Sequence, residues 1–129
     1  MLDRYESQAY GLMRIVFGAV FLMYGLQKFG LLGGLNGQGA AAPVLSFPYG
    51  IAAIIEVVVG VLVIVGLFTR AAAFIGCGEM AVAYFMSHFS AQAMLPVQNS
   101  GQPAVLFCFA FLYMVARGGG AWSVDRQRG

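Results

Sequence analysis

Charged residues are scarce in this chain, at 9% of its 129 residues, whereas hydrophobic residues account for 60%. A soluble domain of this size needs far more charge to cover its surface, so the composition excludes an ordinary soluble protein. The apolar residues are grouped in four segments, approximately residues 11–29, 47–68, 71–89 and 103–116. A membrane-spanning helix needs about 20 mostly apolar residues. The sequence therefore predicts an all-α protein, a four-helix transmembrane bundle that forms a single domain over residues 1–129.

The connections between these segments favour antiparallel neighbours. Residues 68–70 are the whole link between the second and third segments, which predicts a helical hairpin. The fourth segment is short, because its residues would extend over only about 21 Å as a helix. We expect either that this helix continues into its flanking residues or that part of the preceding loop enters the membrane.

Cysteine and histidine are also rare, with two and one residues respectively. There is no C-x-x-C motif, and no P-loop, dinucleotide fingerprint, nucleophile elbow or haem-attachment motif occurs. The sequence therefore predicts no metal, haem or nucleotide cofactor. Cys77 and Cys108 each lie alone in an apolar segment, at depths that allow a contact between the third and fourth helices. We interpret them as small buried apolar residues rather than as a redox pair.

Basic residues are few and scattered, which argues against nucleic-acid binding. In a four-span topology every arginine falls on one side of the membrane, and the single lysine, Lys28, falls on the other. Lys and Arg are enriched in cytoplasmic segments. We therefore expect both termini to be cytoplasmic, the lipid bilayer to be the environment of the chain, and the cell (inner) membrane to be its multi-pass location.

One face of the first predicted helix combines charged residues with glycines. At 100° per residue, five positions fall within about 80° of one another. These are Arg14, Gly18, Phe21, Gly25 and Lys28. Glycines permit close helix approach, so we expect this face to contact other helices. Arg14 and Lys28 lie near opposite ends, and each can instead extend to the lipid headgroups.

Two carboxyl groups lie in the middle of predicted spans. Glu56 is too short to reach the membrane surface, and we expect it to pair with Arg14. A purely structural bond between helices and a role in proton transfer or ligand binding both stay open. Glu79 lies at a similar depth, where two carboxyls can share a proton. His88 lies on the opposite face from Glu79 at the outer membrane edge, where it can donate to a quinone carbonyl or contact water.

Four short motifs, each weak alone, occur in order along the chain. They are Arg14, Gly18, Gly25 and Lys28 in the first helix; Glu56, Gly60, Gly66 and Arg70 in the second; Met80, Ala83 and His88 in the third; and a Gly-rich run followed by Ser123 and Asp125. A chain that carries these motifs in this order and at these separations resembles members of the DoxX family. Gln102 departs from that pattern, because family members often have a Glu there. The resemblance implies a four-helix membrane protein. Some members are similar to subunits of a thiosulfate:quinone oxidoreductase, and others associate with redox-stress enzymes.

Three functions are compatible with these residues. The first is a small membrane subunit of a quinone-linked oxidoreductase or redox-stress complex. In it, Glu56 and Glu79 relay protons, and Arg14, Lys28 and His88 bind the quinone. The second is a non-enzymatic membrane scaffold for a soluble redox protein. The third is a small transporter or proton pore, which would require a homo-oligomer. No electron-carrying centre is evident, so a partner or a bound quinone is needed for redox chemistry, and whether the chain is itself catalytic stays open.

Overall fold

The computed structural model describes residues 2–34, 38–39, 41, 49–88 and 90–128. A 3₁₀ turn (Leu2–Tyr5) is followed by α1 (Glu6–Lys28), α2 (Tyr49–Val65), α3 (Thr69–Ala83), a π-helical turn (Tyr84–His88), α4 (Pro96–Asn99), α5 (Gln102–Arg117) and α6 (Val124–Arg128). Across these ranges the elements are helical and none is a strand, which confirms the all-α class.

The four long helices match the four apolar segments, but the end of α2 differs from the prediction. α2 ends at Val65 because Gly66 adopts a left-handed conformation, with φ of +72°. The N–H groups of Gly66 and Leu67 both donate to the Leu62 carbonyl, at 2.8 and 2.9 Å. This is the hydrogen-bond pattern of a glycine-terminated helix. The α2–α3 link is therefore Gly66–Phe68, and the prediction that the second helix continues to residue 68 is wrong. The predicted start at residue 47 lies outside the described residues.

The membrane-spanning capacity of the helices is uneven. Among the described residues, one stretch, Leu2–Lys28, is long and apolar enough to cross a membrane by length and composition. Gly50–Val65 and Gln102–Arg117 are apolar but shorter.

The helices associate mainly as two pairs, α1 with α2 and α3 with α5, and contacts between α2 and α3 join the pairs. Glycine allows α1 and α2 to approach closely. A Cβ atom at Gly60 would lie 2.9 Å from the backbone nitrogen of Leu22, and one at Gly18 would lie 3.0 Å from that of Ile64. This spacing confirms that the glycine face of α1 contacts another helix.

An aromatic cluster fills the space between α1 and α5. The ring of Phe21 lies 4.8 Å from that of Phe111 and 5.3 Å from that of Phe107, measured between centroids. All three side chains are buried. They fix the position of α5 relative to the α1–α2 pair.

The C-terminal segment closes one end of the helices, which we call the base. Its Asp125 side chain accepts hydrogen bonds from the backbone N–H groups of Phe68 (2.8 Å) and Thr69 (2.7 Å) at the start of α3. A carboxylate at this position also interacts favourably with the positive end of the helix dipole. The backbone N–H of Asp125 donates to the Gly66 carbonyl at 2.9 Å, so the segment is tied to the α2–α3 link.

Candidate functional site: a buried carboxyl cluster

The buried carboxylate of Glu56 forms an ion pair with Lys28. The Lys28 Nζ atom lies 2.8 Å from Glu56 Oε1, and the exposed fractions of the two side chains are 16% and 2%. Lys28 is the last residue of α1, and its long side chain turns back along the antiparallel α2 instead of reaching outward. The prediction that Glu56 meets a cation from another helix is confirmed, but the predicted partner was Arg14.

Arg14 has a different role, so the predicted Arg14–Glu56 pair is wrong. Its side chain is fully buried, and within the described part of the chain its guanidinium donates to backbone carbonyls. Nη1 donates to Val63 (2.5 Å) and Ile64 (2.8 Å), and Nη2 donates to Ala121 (2.9 Å) and Trp122 (3.2 Å). The first two carbonyls belong to the last turn of α2, where a cation is favoured by the helix dipole. Arg14 therefore joins α1, α2 and the C-terminal segment at the base.

The axial position of each cation explains this exchange of partners. Arg14 and Lys28 lie on one face of α1 but are separated by about 21 Å along its axis. Glu56 is in the first half of α2, which packs beside the end of α1 that carries Lys28. Counting residues from the α1–α2 connection, rather than matching faces alone, would have identified Lys28 as the partner.

Glu79 extends this cluster to α3. Its carboxyl group lies close enough to that of Glu56 for the two to interact. When one of two neighbouring carboxyl groups carries a proton, it can donate a hydrogen bond to the other. The second oxygen of Glu79, Oε1, is buried and has no hydrogen-bond partner within the described part of the chain. Lys28, Glu56 and Glu79 thus form a group of neighbouring ionisable side chains that are buried or partly buried, which we call the carboxyl cluster.

The carboxyl cluster lies between two apolar spaces. One, the inner cavity, has a volume of about 320 Å³ and contains Glu56 in its wall. Its other lining residues include Phe21, Tyr24, Met80, Pro103 and Phe107. The other, the lateral groove between α2 and α3, has a volume of about 410 Å³ and reaches Glu79. Its lining is almost entirely apolar and includes Ile51, Ile55, Ile75, Val82 and Met86. Each space therefore meets one of the two neighbouring carboxyls.

Two other predicted features have different outcomes. His88 is the last residue of the π-helical turn, but its side chain lies outside the described part of the chain, so its proposed contact with a quinone stays a prediction. Among the residues that the structure describes, no group of three or more His, Cys, Asp or Glu side chains is arranged to hold a metal ion.

Comparison with known proteins places this architecture in a family. Residues 10–89 match the DoxX family. An uncharacterized protein from Haemophilus influenzae (strain Rd KW20) is 37% identical over 130 residues, an alignment that covers 98% of this chain and 95% of that protein. No solved structure matches the chain. The protein therefore belongs to the DoxX family, a family of membrane proteins.

Proposed function

We propose that the protein is a multi-pass protein of the cell (inner) membrane, a four-helix bundle with both termini on the cytoplasmic side. The spans are α1, α2, α3 with its π-helical turn, and α5. The length of Leu2–Lys28 and the apolar character of Gly50–Val65 and Gln102–Arg117 support this topology. Placing the base at the cytoplasmic surface puts Arg70 and Arg117 there and Lys28 at the opposite surface, in agreement with the distribution of positive charge in membrane proteins.

Within this topology, the protein functions as a small membrane subunit of a quinone-linked oxidoreductase or redox-stress complex. The observation that carries this proposal is the carboxyl cluster between two apolar spaces. Ionisable side chains at membrane depth are costly, so they are retained where they exchange protons or bind a polar group. When bound, a quinone supplies two-electron chemistry coupled to uptake or release of two protons. Its ring and tail are apolar, and its oxygens need hydrogen-bond partners.

The residues of the site fit such a ligand. Glu79 Oε1 is a buried acceptor without a partner among the described residues, and a hydroquinone O–H is a donor. The ammonium of Lys28 and the proton shared by Glu56 and Glu79 are donors for a quinone carbonyl. Aromatic side chains of the inner cavity, including Phe21 and Phe107, suit a planar ring.

Proton movement follows from the order of these groups. Because Glu56 lines the inner cavity and Glu79 lines the lateral groove, a proton exchanged between the two neighbouring carboxyls would pass from one space to the other. The ammonium of Lys28 balances the negative charge that the pair acquires when the proton leaves. The apolar lining keeps bulk water from bypassing this route. A soluble redox protein docked at the membrane would supply the electrons.

The test is Glu56→Gln, with quinone reduction measured in reconstituted membranes. Glutamine keeps the shape of the side chain but cannot exchange a proton, so we expect turnover to fall about a hundredfold, a usual loss for a general acid or base. Glu6→Gln is the matched control, because Glu6 is exposed at the start of α1 and lies outside the cluster. Unchanged turnover in Glu56→Gln, at unchanged expression, would remove Glu56 from the mechanism.

A scaffold function is the second candidate, and the surface of the base favours it. An open space of about 760 Å³ at the base is lined by Arg70, Arg117 and Arg126 together with Asp125. Nearby, Trp122 is 60% exposed. A cationic surface with an exposed aromatic side chain suits docking of an acidic soluble protein. Under this function, complex formation would tolerate Glu56→Gln and would be lost in Arg126→Glu.

A further inference from the structure

Two thiols from different helices are in contact. Cys77 on α3 and Cys108 on α5 have Sγ atoms 3.6 Å apart, and both side chains are only partly buried. The predicted contact between these helices is therefore confirmed. A disulfide bond is about 2.05 Å long, so the sulfur atoms need to approach by only about 1.5 Å to form one.

The backbone holds the two helices close at this level. A Cβ atom at Gly76 would lie 2.9 Å from the ring of Phe111, so α3 and α5 approach closely beside the cysteines. The thiols lie at matching heights, since Cys77 is about 12 Å from Thr69 and Cys108 is about 14 Å from Arg117 along their helices. The packing of α3 against α5 therefore brings the two cysteines to the same level of the bundle.

The apolar surroundings of the two thiols restrict which oxidants can reach them. Exposed neighbours on the same helices are apolar, among them Ile75, Phe109 and Leu112. In the proposed topology these residues face lipid, where a charged peptide disulfide such as oxidised glutathione does not enter because of its desolvation cost. An oxidant that dissolves in the bilayer does enter. Met80 and Phe107, which line the inner cavity, lie within one helical turn of Cys77 and Cys108 respectively.

In place of the interpretation that the sequence favoured, we propose that Cys77 and Cys108 are a redox-active dithiol whose oxidant is a membrane quinone. This inference rests on the quinone-linked function proposed above and supplies the electron-carrying group which that function requires. Oxidation breaks the two S–H bonds and forms one S–S bond. The two electrons and two protons released go to the quinone, which becomes a hydroquinone.

The experiment uses the full-length, reduced protein in lipid nanodiscs, with decylubiquinone as the oxidant. Remaining thiols are alkylated with N-ethylmaleimide, and the intact mass is measured. The chain has two cysteines, so the readout is unambiguous. We expect two additions before oxidation and none after it, with one hydroquinone formed per chain. Cys77→Ser and Cys108→Ser are the controls, and each should keep its single addition and form no hydroquinone.

A parallel sample is oxidised with diamide. It distinguishes a failure of the reaction with the quinone from an inability of the two thiols to form a disulfide. Closure by diamide but not by decylubiquinone would overturn the proposed dithiol–quinone reaction. Failure of both oxidants would show that the thiols cannot reach disulfide geometry, which also overturns the proposal. The proposed function fails separately: decylubiquinone would then not shift the unfolding temperature of the wild-type protein, and Glu56→Gln would leave quinone turnover unchanged.

Discussion

The ion pair between Lys28 and Glu56 can be measured by a double-mutant cycle with Lys28→Met and Glu56→Gln. At the observed N–O distance of 2.8 Å, the Coulomb attraction is about 6 kcal/mol at an effective dielectric constant of about 20. Desolvation of both groups offsets part of this attraction. Loss of one partner from a buried pair costs about 3–5 kcal/mol. Glu56 keeps Glu79 as a second partner, so we expect each single substitution to cost about 2–3 kcal/mol and the coupling energy to be about 2 kcal/mol.

The assay is reversible unfolding of the reconstituted protein, followed for the wild type, both single variants and the double variant. The double variant should be less destabilised than the sum of the single variants, because Lys28→Met removes the unpaired cation that Glu56→Gln leaves behind. A coupling energy below about 0.5 kcal/mol would refute the ion pair, since additivity within that margin is typical of independent sites.

Arg14 provides the control that shows whether the cation paired with Glu56 is Lys28 or Arg14. Arg14→Met should destabilise the protein strongly, because it removes a buried guanidinium that serves four backbone carbonyls. Combined with Glu56→Gln, its effect should be additive within about 0.5 kcal/mol, because the two sites share no partner. Coupling between Arg14 and Glu56 would mean that the register of α1 against α2 is wrong.

Two further predictions concern helix packing and capping. Gly60→Ala should cost about 1–3 kcal/mol, because its Cβ would lie 2.9 Å from the Leu22 backbone. Gly78→Ala is the matched control, with nothing within 4 Å of the added atom, and should be neutral or stabilising; equal effects in unfolding assays would contradict close α1–α2 packing. Asp125→Ala should cost about 1–2 kcal/mol and speed amide hydrogen exchange at Thr69, since it removes the acceptor at the start of α3. Unchanged exchange there would show that Asp125 does not cap the helix.

The sequence predicted correctly which face of α1 is buried. It did not predict which residues of the other helices contact that face. Periodicity assigns a residue to a side of a helix, and Arg14, Gly18, Phe21 and Gly25 are all buried as predicted. Periodicity carries no information on the axial register between helices, and the partner of Glu56 depends on that register. The close placement of Glu56 and Glu79 was predicted because both lie at similar depths in adjacent antiparallel helices, and the interaction between their carboxyl groups confirms it.

The base of the molecule was the least predictable region. Arg14 and Arg70 donate to backbone carbonyls, which every residue has, so no complementary side chain in the sequence reveals the contact. Gly66 is a sequence signal for the end of α2. Apolar residues follow it, however, and their pattern resembles that of a helix that continues. The capping role of Asp125 depends on a chain reversal after α5 that composition alone does not specify.

The contacts of Arg14 also constrain the order of events during biosynthesis. Two of its acceptors are in α2, but Ala121 and Trp122 emerge from the ribosome more than a hundred residues after Arg14 itself. Until then, the first helix carries a cation whose final set of acceptors does not yet exist. Water or lipid headgroups must solvate it in the meantime. Emergence of the segment that contains Ala121 and Trp122, rather than insertion of the first helix, is therefore the stage at which this end of the protein acquires its native arrangement.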